Sequence, residues 1–121
     1  KDAEASRSCF DAHGIRYADC FVGMCLMGYN TSAERVSDCV HEAFEAVSRQ
    51  IRPRHSGLRP LTCELMVHPG CVCDGDGGCG GGSGPDEFAR SFAREHELAV
   101  LTGDKLKMLL AASRIRLVSS V

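Results

Sequence analysis

The sequence has no apolar run of membrane-spanning length and no large surplus of either charge. A helix that crosses a bilayer needs about 20 consecutive apolar residues. Its 14 basic and 16 acidic side chains leave a formal net charge of −2. That balance does not provide the basic face by which proteins hold nucleic acid or anionic lipid, so neither a nucleic-acid nor a membrane partner is expected. The glycine-rich stretch CVCDGDGGCGGGSGP is not a phosphate-binding loop, because no Lys-Ser/Thr follows its glycines. No basic-then-apolar leader opens the chain. The first residue is Lys1, and KDAEASRSCFDAHG reads as the middle of a helix, which suggests a processed or partial chain.

What is present suits one soluble globular domain of 121 residues, 44% hydrophobic and 25% charged. At this size a single core is feasible without metal or disulfide staples. Of the eight cysteines, Cys20, Cys25, Cys39 and Cys63 lie inside apolar periodic segments. A free thiol there behaves as a small hydrophobe. Reduced thiols and a cytoplasmic location are expected.

Along the chain, residues 2–12 alternate small apolar and charged side chains, and Gly14 is a natural helix stop. GIRYADCFVGMCLMG reads as a buried strand near residues 17–25 running into a loop. Thr31 and Glu34 form a capping-box pattern. Ala33, Val36, Val40, Ala43, Phe44, Val47 and Ile51 follow on one helical face, and Pro53 ends the run. LTCELMV is the next buried strand, and residues 71–84 form a glycine- and cysteine-rich loop expected to be flexible. Helix returns after Pro85, with Phe88, Ala89, Phe92 and Ala93 on one side. Thr102 is the expected cap of a further helix, and RIRLVSSV, with Ile115, Leu117 and Val121 turned inward, is the expected closing strand. Strands separated by amphipathic helices predict an α/β fold of alternating βα units with parallel strands. Three strands make a poor sheet, so the pattern looks like one side of a larger fold.

Functional groups in parallel α/β folds gather at the carboxyl ends of strands. His68 stands there in CELMVHPG. Pro69 holds it in extended backbone, and Gly70 allows a turn or a close approach. An imidazole so fixed suits proton transfer or metal ligation, although a strand end can also carry a histidine with no chemical role. Asp19 could anchor a substrate hydroxyl or orient an imidazole, though a carboxylate capping a loop at a strand start is commoner. Glu64 would need a partner if it pointed inward. His96 and His41 read as solvated or capping helix residues, and His13 and His55 as turn residues. His68, Cys71, Cys73 and Cys79 include proper zinc ligands, but their spacing matches no common structural-zinc arrangement.

Taken together, GIRYADCFVGMCLMGYNTSAERV, CELMVHPG, REHELAVLTGDKLKMLL and RIRLVSS resemble the C-terminal half of YdjC-like carbohydrate deacetylases. The resemblance spans nearly the whole chain in order. It implies a (β/α)-barrel-like deacetylase fold and removal of acetyl groups from N-acetylated oligosaccharides or amino sugars. It also implies a divalent metal, magnesium or another, held by an aspartate and two histidines, and an aspartate base that activates water. His68 matches the histidine of the family's HPG motif, as the acid for the departing amine or a pocket contact. Asp19 matches the aspartate ahead of the F-x-G strand, while Arg94 and Glu97 match the late arginine and glutamate. These three are expected to contact substrate or order the pocket.

The family's early Asp-Asp motif and its histidine-rich stretch do not occur in these 121 residues. The metal ligands are therefore expected in a missing N-terminal part, and the isolated chain is expected to be inactive. The alternative is a truncated, non-catalytic sugar- or partner-binding module. Strand edges left open by half a barrel would favour association, a homodimer included. A cysteine-based metal or redox module is the third reading.

Overall fold

The computed structural model describes residues 2–50, 60–73 and 87–119, with side chains of the first helix from Ser6 onward. The elements run α1 (Asp2–Ala12), β1 (Cys20–Val22), a 3₁₀ turn (Gly28–Asn30), α2 (Ala33–Gln50), β2 (Cys63–Leu65), α3 (Phe92–Thr102) and α4 (Asp104–Ala112). The α/β expectation holds at this level: among the described residues, four helices accompany a two-stranded parallel sheet. Cys20 lies opposite Cys63, Phe21 opposite Glu64 and Val22 opposite Leu65.

Gly14 ends α1 as its position suggested. Its φ of 65° lets its N–H reach the Asp11 carbonyl at 3.2 Å while the Ile15 N–H reaches Phe10 at 2.9 Å. This pair of bonds closes two carbonyls that the helix end would otherwise leave open.

The cap of α2 differs from the capping-box expectation. Thr31 is fully buried, and its hydroxyl donates back to the Leu26 carbonyl. Ser32 is the cap instead, its Oγ accepting the Arg35 N–H at 3.2 Å. Packing drew Thr31 into the core, and the next hydroxyl took its place. Glu34 meets Lys105 of α4, and that partner holds its carboxyl below the usual carboxylate range.

The core joins α2 to α4. Val36 and Val40, one turn apart, and Leu106 and Leu110, likewise one turn apart, are buried with Leu26, Ala33 and Ala89. Leu26, Ala33, Val36, Leu106 and Leu110 form one cluster, with Leu65, Cys39, Leu101 and Ile115 packed on it. The apolar stripe read for α2 is thus the face that contacts α4 and both strands. Along each strand the central residue is exposed and its neighbours half-buried. Phe21 and Glu64 therefore share the sheet face turned away from α2.

Three expected elements are changed. No strand forms over residues 114–119. Arg114 (φ 57°) closes α4, with the Ile115 N–H bonded to Leu110 at 2.9 Å, and Leu117 is 75% exposed. A strand needs a neighbour to accept its ladder, and among the described residues that segment finds none. The helix expected from Pro85 starts at Phe92, where the Ser91 hydroxyl accepts from Ala93 at 3.2 Å. Phe88 and Phe92 are exposed, while Ala89 is buried. Thr102 is the last residue of α3 rather than the cap of α4, its hydroxyl donating to Leu98 at 2.7 Å. Gly103 alone separates the two helices. Ile51, Pro53, His55, Cys79, Pro85, Val121 and residues 74–84 of the expected loop lie outside the described residues.

Candidate functional site

The chain leaves β2 at Leu65 and reaches His68 three residues later, at the carboxyl end of the sheet. The turn that follows is docked along the first turns of α3. The Gly70 N–H donates to the Arg94 carbonyl at 3.2 Å, the Cys73 N–H to Ala89 at 3.1 Å, and the Val72 N–H to Glu95 Oε1 at 2.9 Å. A Cβ at Gly70 would meet the Arg94 guanidinium, which would have to shift to admit it.

Glu97 is the organising residue. It is 2% exposed, and its carboxylate is used at both ends. Oε2 accepts the His68 N–H at 2.6 Å, and Oε1 accepts the Gly28 N–H at 2.5 Å. Bonds to a carboxylate are stronger than bonds between neutral groups, and burial raises the cost of losing either partner. One side chain on α3 therefore fixes the loops that follow both parallel strands. His96, one residue earlier, does the same by another route. Its Nε2–H donates to the Thr31 carbonyl at 2.7 Å, and its ring lies 5.5 Å from that of Tyr29. The solvated-or-capping reading of His96 thus gives way to a half-buried tie between α3 and the start of α2.

Phe88 completes the surroundings of His68. The two rings meet edge to face at 5.6 Å and 90°. The Arg94 guanidinium carbon lies 5.0 Å from the same phenyl centroid, within the range of cation–π attraction. Arg94 Nε is buried and has no hydrogen-bond partner among the described residues. Phe88 had been read only as part of a helix face. No local pattern places its ring against a residue twenty positions earlier.

His68, Arg94 and Glu97 are thus brought together, and Asp19 is not. Asp19 stands at the amino end of the sheet, where its Oδ2 accepts the Thr62 N–H at 2.8 Å and the Thr62 hydroxyl at 2.9 Å. The Asp19 N–H returns a bond to Thr62 Oγ1 at 3.2 Å. This carboxylate laces the starts of β1 and β2, the capping role that was the commoner alternative. A groove of about 1000 Å³ passes this end, lined by Arg7, Asp11, Tyr17, Asp19 and Glu64 among others. A second, of about 840 Å³, follows α2 and residues 113–118. Neither is lined by His68, Arg94 or Glu97.

Among the described residues, no three His, Cys, Asp or Glu side chains converge as a metal site would require. Both Glu97 oxygens are already held by backbone donors. The donors present do not fit a divalent-metal centre. Cys9, Cys20, Cys25, Cys39, Cys63 and Cys71 carry free thiols. Burial, followed by the neighbouring Cys20 thiol, pushes Cys63 up to about 12. Such a thiol is a packing residue rather than a nucleophile. Among the described residues no helix is long and apolar enough to cross a membrane.

The sequence profile of the YdjC-like protein family matches residues 1–112. The chain is 41% identical to a human carbohydrate deacetylase over 118 residues, covering 97% of the chain and 33% of the relative. A carbohydrate deacetylase of Mus musculus is also 41% identical, with 97% of the chain and 35% of the relative covered. For that of Xenopus laevis the identity is 34%, with 97% and 38% covered. The chain therefore spans about a third of the length of the curated relatives it matches. No solved structure matches it. A profile that covers most of the chain, in a mixed α/β arrangement with His68, Arg94 and Glu97 gathered beyond the strands, leads to one conclusion: the chain belongs to the YdjC-like protein family.

Proposed function

We propose that this chain is a C-terminal portion of a carbohydrate deacetylase, hydrolysing the N-acetyl groups of amino sugars or their oligomers. The observation that carries the reading is the Glu97 clamp. A buried carboxylate holds the backbone of His68 at 2.6 Å, so the imidazole is presented from a fixed point at the carboxyl end of β2. In amide hydrolysis, water adds to the carbonyl and the nitrogen leaves with a proton. His68 supplies that proton as the C–N bond breaks, and Phe88, itself backed by Arg94, packs edge-on against its ring. Glu97 positions His68, and Arg94 faces the acetylated sugar. Names given to relatives at 41% identity support this assignment.

A (β/α)-barrel would continue the sheet on either side of β1 and β2. A divalent ion, magnesium or another, would take its ligands outside the described residues, since the donors within them do not fit one. No step is derived through it.

The test is His68→Gln in the complete protein that carries this chain, assayed on N-acetylglucosamine oligomers. Loss of a general acid should lower kcat by about 10²- to 10⁴-fold with the melting temperature kept. Unchanged turnover would overturn the assignment.

A second reading, a non-catalytic sugar- or partner-binding module, draws on Phe21. This residue is 51% exposed on the sheet face away from α2. The two outer strand edges likewise lack neighbours among the described elements. Such a face favours association with another copy or another chain.

A further inference from the structure

Cys25 and Cys39 form a thiol pair that the proposed hydrolysis does not use. Cys25 lies in the loop after β1 and is exposed, whereas Cys39 is a half-buried residue of α2. Their sulfurs are 4.0 Å apart. The backbone at Cys25 is held to the same helix, because Arg35, one turn before Cys39, donates from its guanidinium to the Cys25 carbonyl at 3.4 Å. The next residue, Leu26, is 1% exposed and anchors the loop in the core. The chain at Cys25 is therefore held against α2, and closing the 4.0 Å gap to a bonded length takes side-chain rotation together with a small backbone adjustment.

We propose that Cys25 and Cys39 are an oxidation site that closes to a disulfide in response to peroxide. The exposed Cys25 sulfur, as thiolate, attacks the peroxide oxygen. The O–O bond breaks, and Cys25 becomes a sulfenic acid as peroxide is reduced to water. The Cys39 sulfur then attacks the Cys25 sulfur. The S–O bond breaks, the oxygen leaves as a second water with the Cys39 proton, and the S–S bond forms. Two thiols and one peroxide thus give one disulfide and two waters.

The consequence is local. The new bond ties the segment carrying Leu26, Gly28 and Thr31 directly to α2. That segment also supplies the Gly28 N–H to Glu97 and the Thr31 carbonyl to His96. Burial raises Cys39 as it does Cys63, so the two pairs differ in access: Cys20 and Cys63 face each other across the strands and both are half-buried, whereas Cys25 is exposed.

The experiment is limited hydrogen peroxide treatment of the chain, thiol alkylation and tryptic mapping, followed by reduction. Trypsin cuts after Arg35, which separates the two cysteines, so their peptides stay joined only if bonded. The expected product has two of the eight cysteines protected from alkylation and recovered by dithiothreitol. Fragmentation should assign the link to Cys25 rather than Cys20. Amide exchange over residues 26–32 should slow in the oxidised form. Cys25→Ser and Cys39→Ala should each abolish the linked peptide. Oxidation of Cys25 alone, or first closure of another pair in a folded sample, would overturn the proposal. Persistence of the link in Cys25→Ser would assign it to Cys20 and overturn it equally.

Discussion

At the residue scale, Glu97 and Cys63 make contrasting use of burial. Glu97 stays inside because two backbone donors meet its two oxygens. In Glu97→Gln, one N–H would face an amide NH₂ instead of an acceptor, and the remaining bond would lose its charge assistance. We expect a loss of about 2–3 kcal/mol in urea unfolding, with faster amide exchange at His68 and Gly28. A variant as stable as the parent would contradict the clamp. Cys63 instead donates to a carbonyl, that of Glu64, and burial pushes its thiol up to about 12 from an ordinary value of 9.0. The unfolded chain therefore ionises first as pH rises. The stability this thiol contributes is complete below about pH 9 and is lost towards about pH 12. Denaturant titrations across that window should show a steeper decline for the parent than for Cys63→Ala, and parallel slopes would refute the assignment.

At the scale of elements, the start of α2 shows how packing overrules a local motif. The pattern Thr31-x-x-Glu34 is a sound capping signal, yet the hydroxyl at 32 caps the helix and that at 31 serves the core. Two substitutions separate the roles. Ser32→Ala should cost about 1 kcal/mol, as for an ordinary cap. Thr31→Val keeps the shape but leaves the Leu26 carbonyl without its buried donor, so it should cost about 1–3 kcal/mol. Thermal melts of both variants would expose an inverted order. The stripe of Ala33, Val36 and Val40 was legible because amphipathic period reports directly on which face is buried. The closing strand was not legible. Alternation at Ile115 and Leu117 describes a residue pattern, whereas strand formation depends on a neighbour that periodicity does not specify. Phe88 and Phe92 failed for the same reason. Their spacing suggests a buried helical face, but the helix begins later, at the Ser91 cap, and both rings are exposed.

At the scale of the molecule, the sheet is two strands wide among the described residues, and one of its faces carries an exposed Phe21. With the donors of a metal centre not assembled there, the chain taken by itself should release no acetate from N-acetylglucosamine oligomers. A colorimetric assay for free amine checks this, and turnover above background would refute it. On the binding-module reading, the same face is expected to favour association. Sedimentation of the parent should give a molar mass above 13.0 kDa that falls towards it in Phe21→Lys, since a charge at the centre of an apolar contact opposes pairing. A parent that remains monomeric at high concentration would remove the binding-module reading.

Sequence alone determined the helices with strong period, the stop at Gly14, the two parallel strand cores and the placement of a histidine on a Pro-Gly turn beyond a strand. Each of these follows from local chemistry: glycine tolerates positive φ, proline excludes helix at the preceding residue, and apolar spacing marks a buried face. Family resemblance added Arg94 and Glu97 as residues expected to contact substrate or order the pocket, without saying which partners they hold. The tertiary structure decided that Glu97 is a clamp, that Phe88 edges His68, and that Asp19 laces the far end of the sheet instead of joining them. Those outcomes depend on contacts between residues far apart in the chain, such as Glu97 with Gly28 and Asp19 with Thr62. A carboxylate is written identically in the sequence at either end of a strand, and its partners are set only when the chain has folded around it.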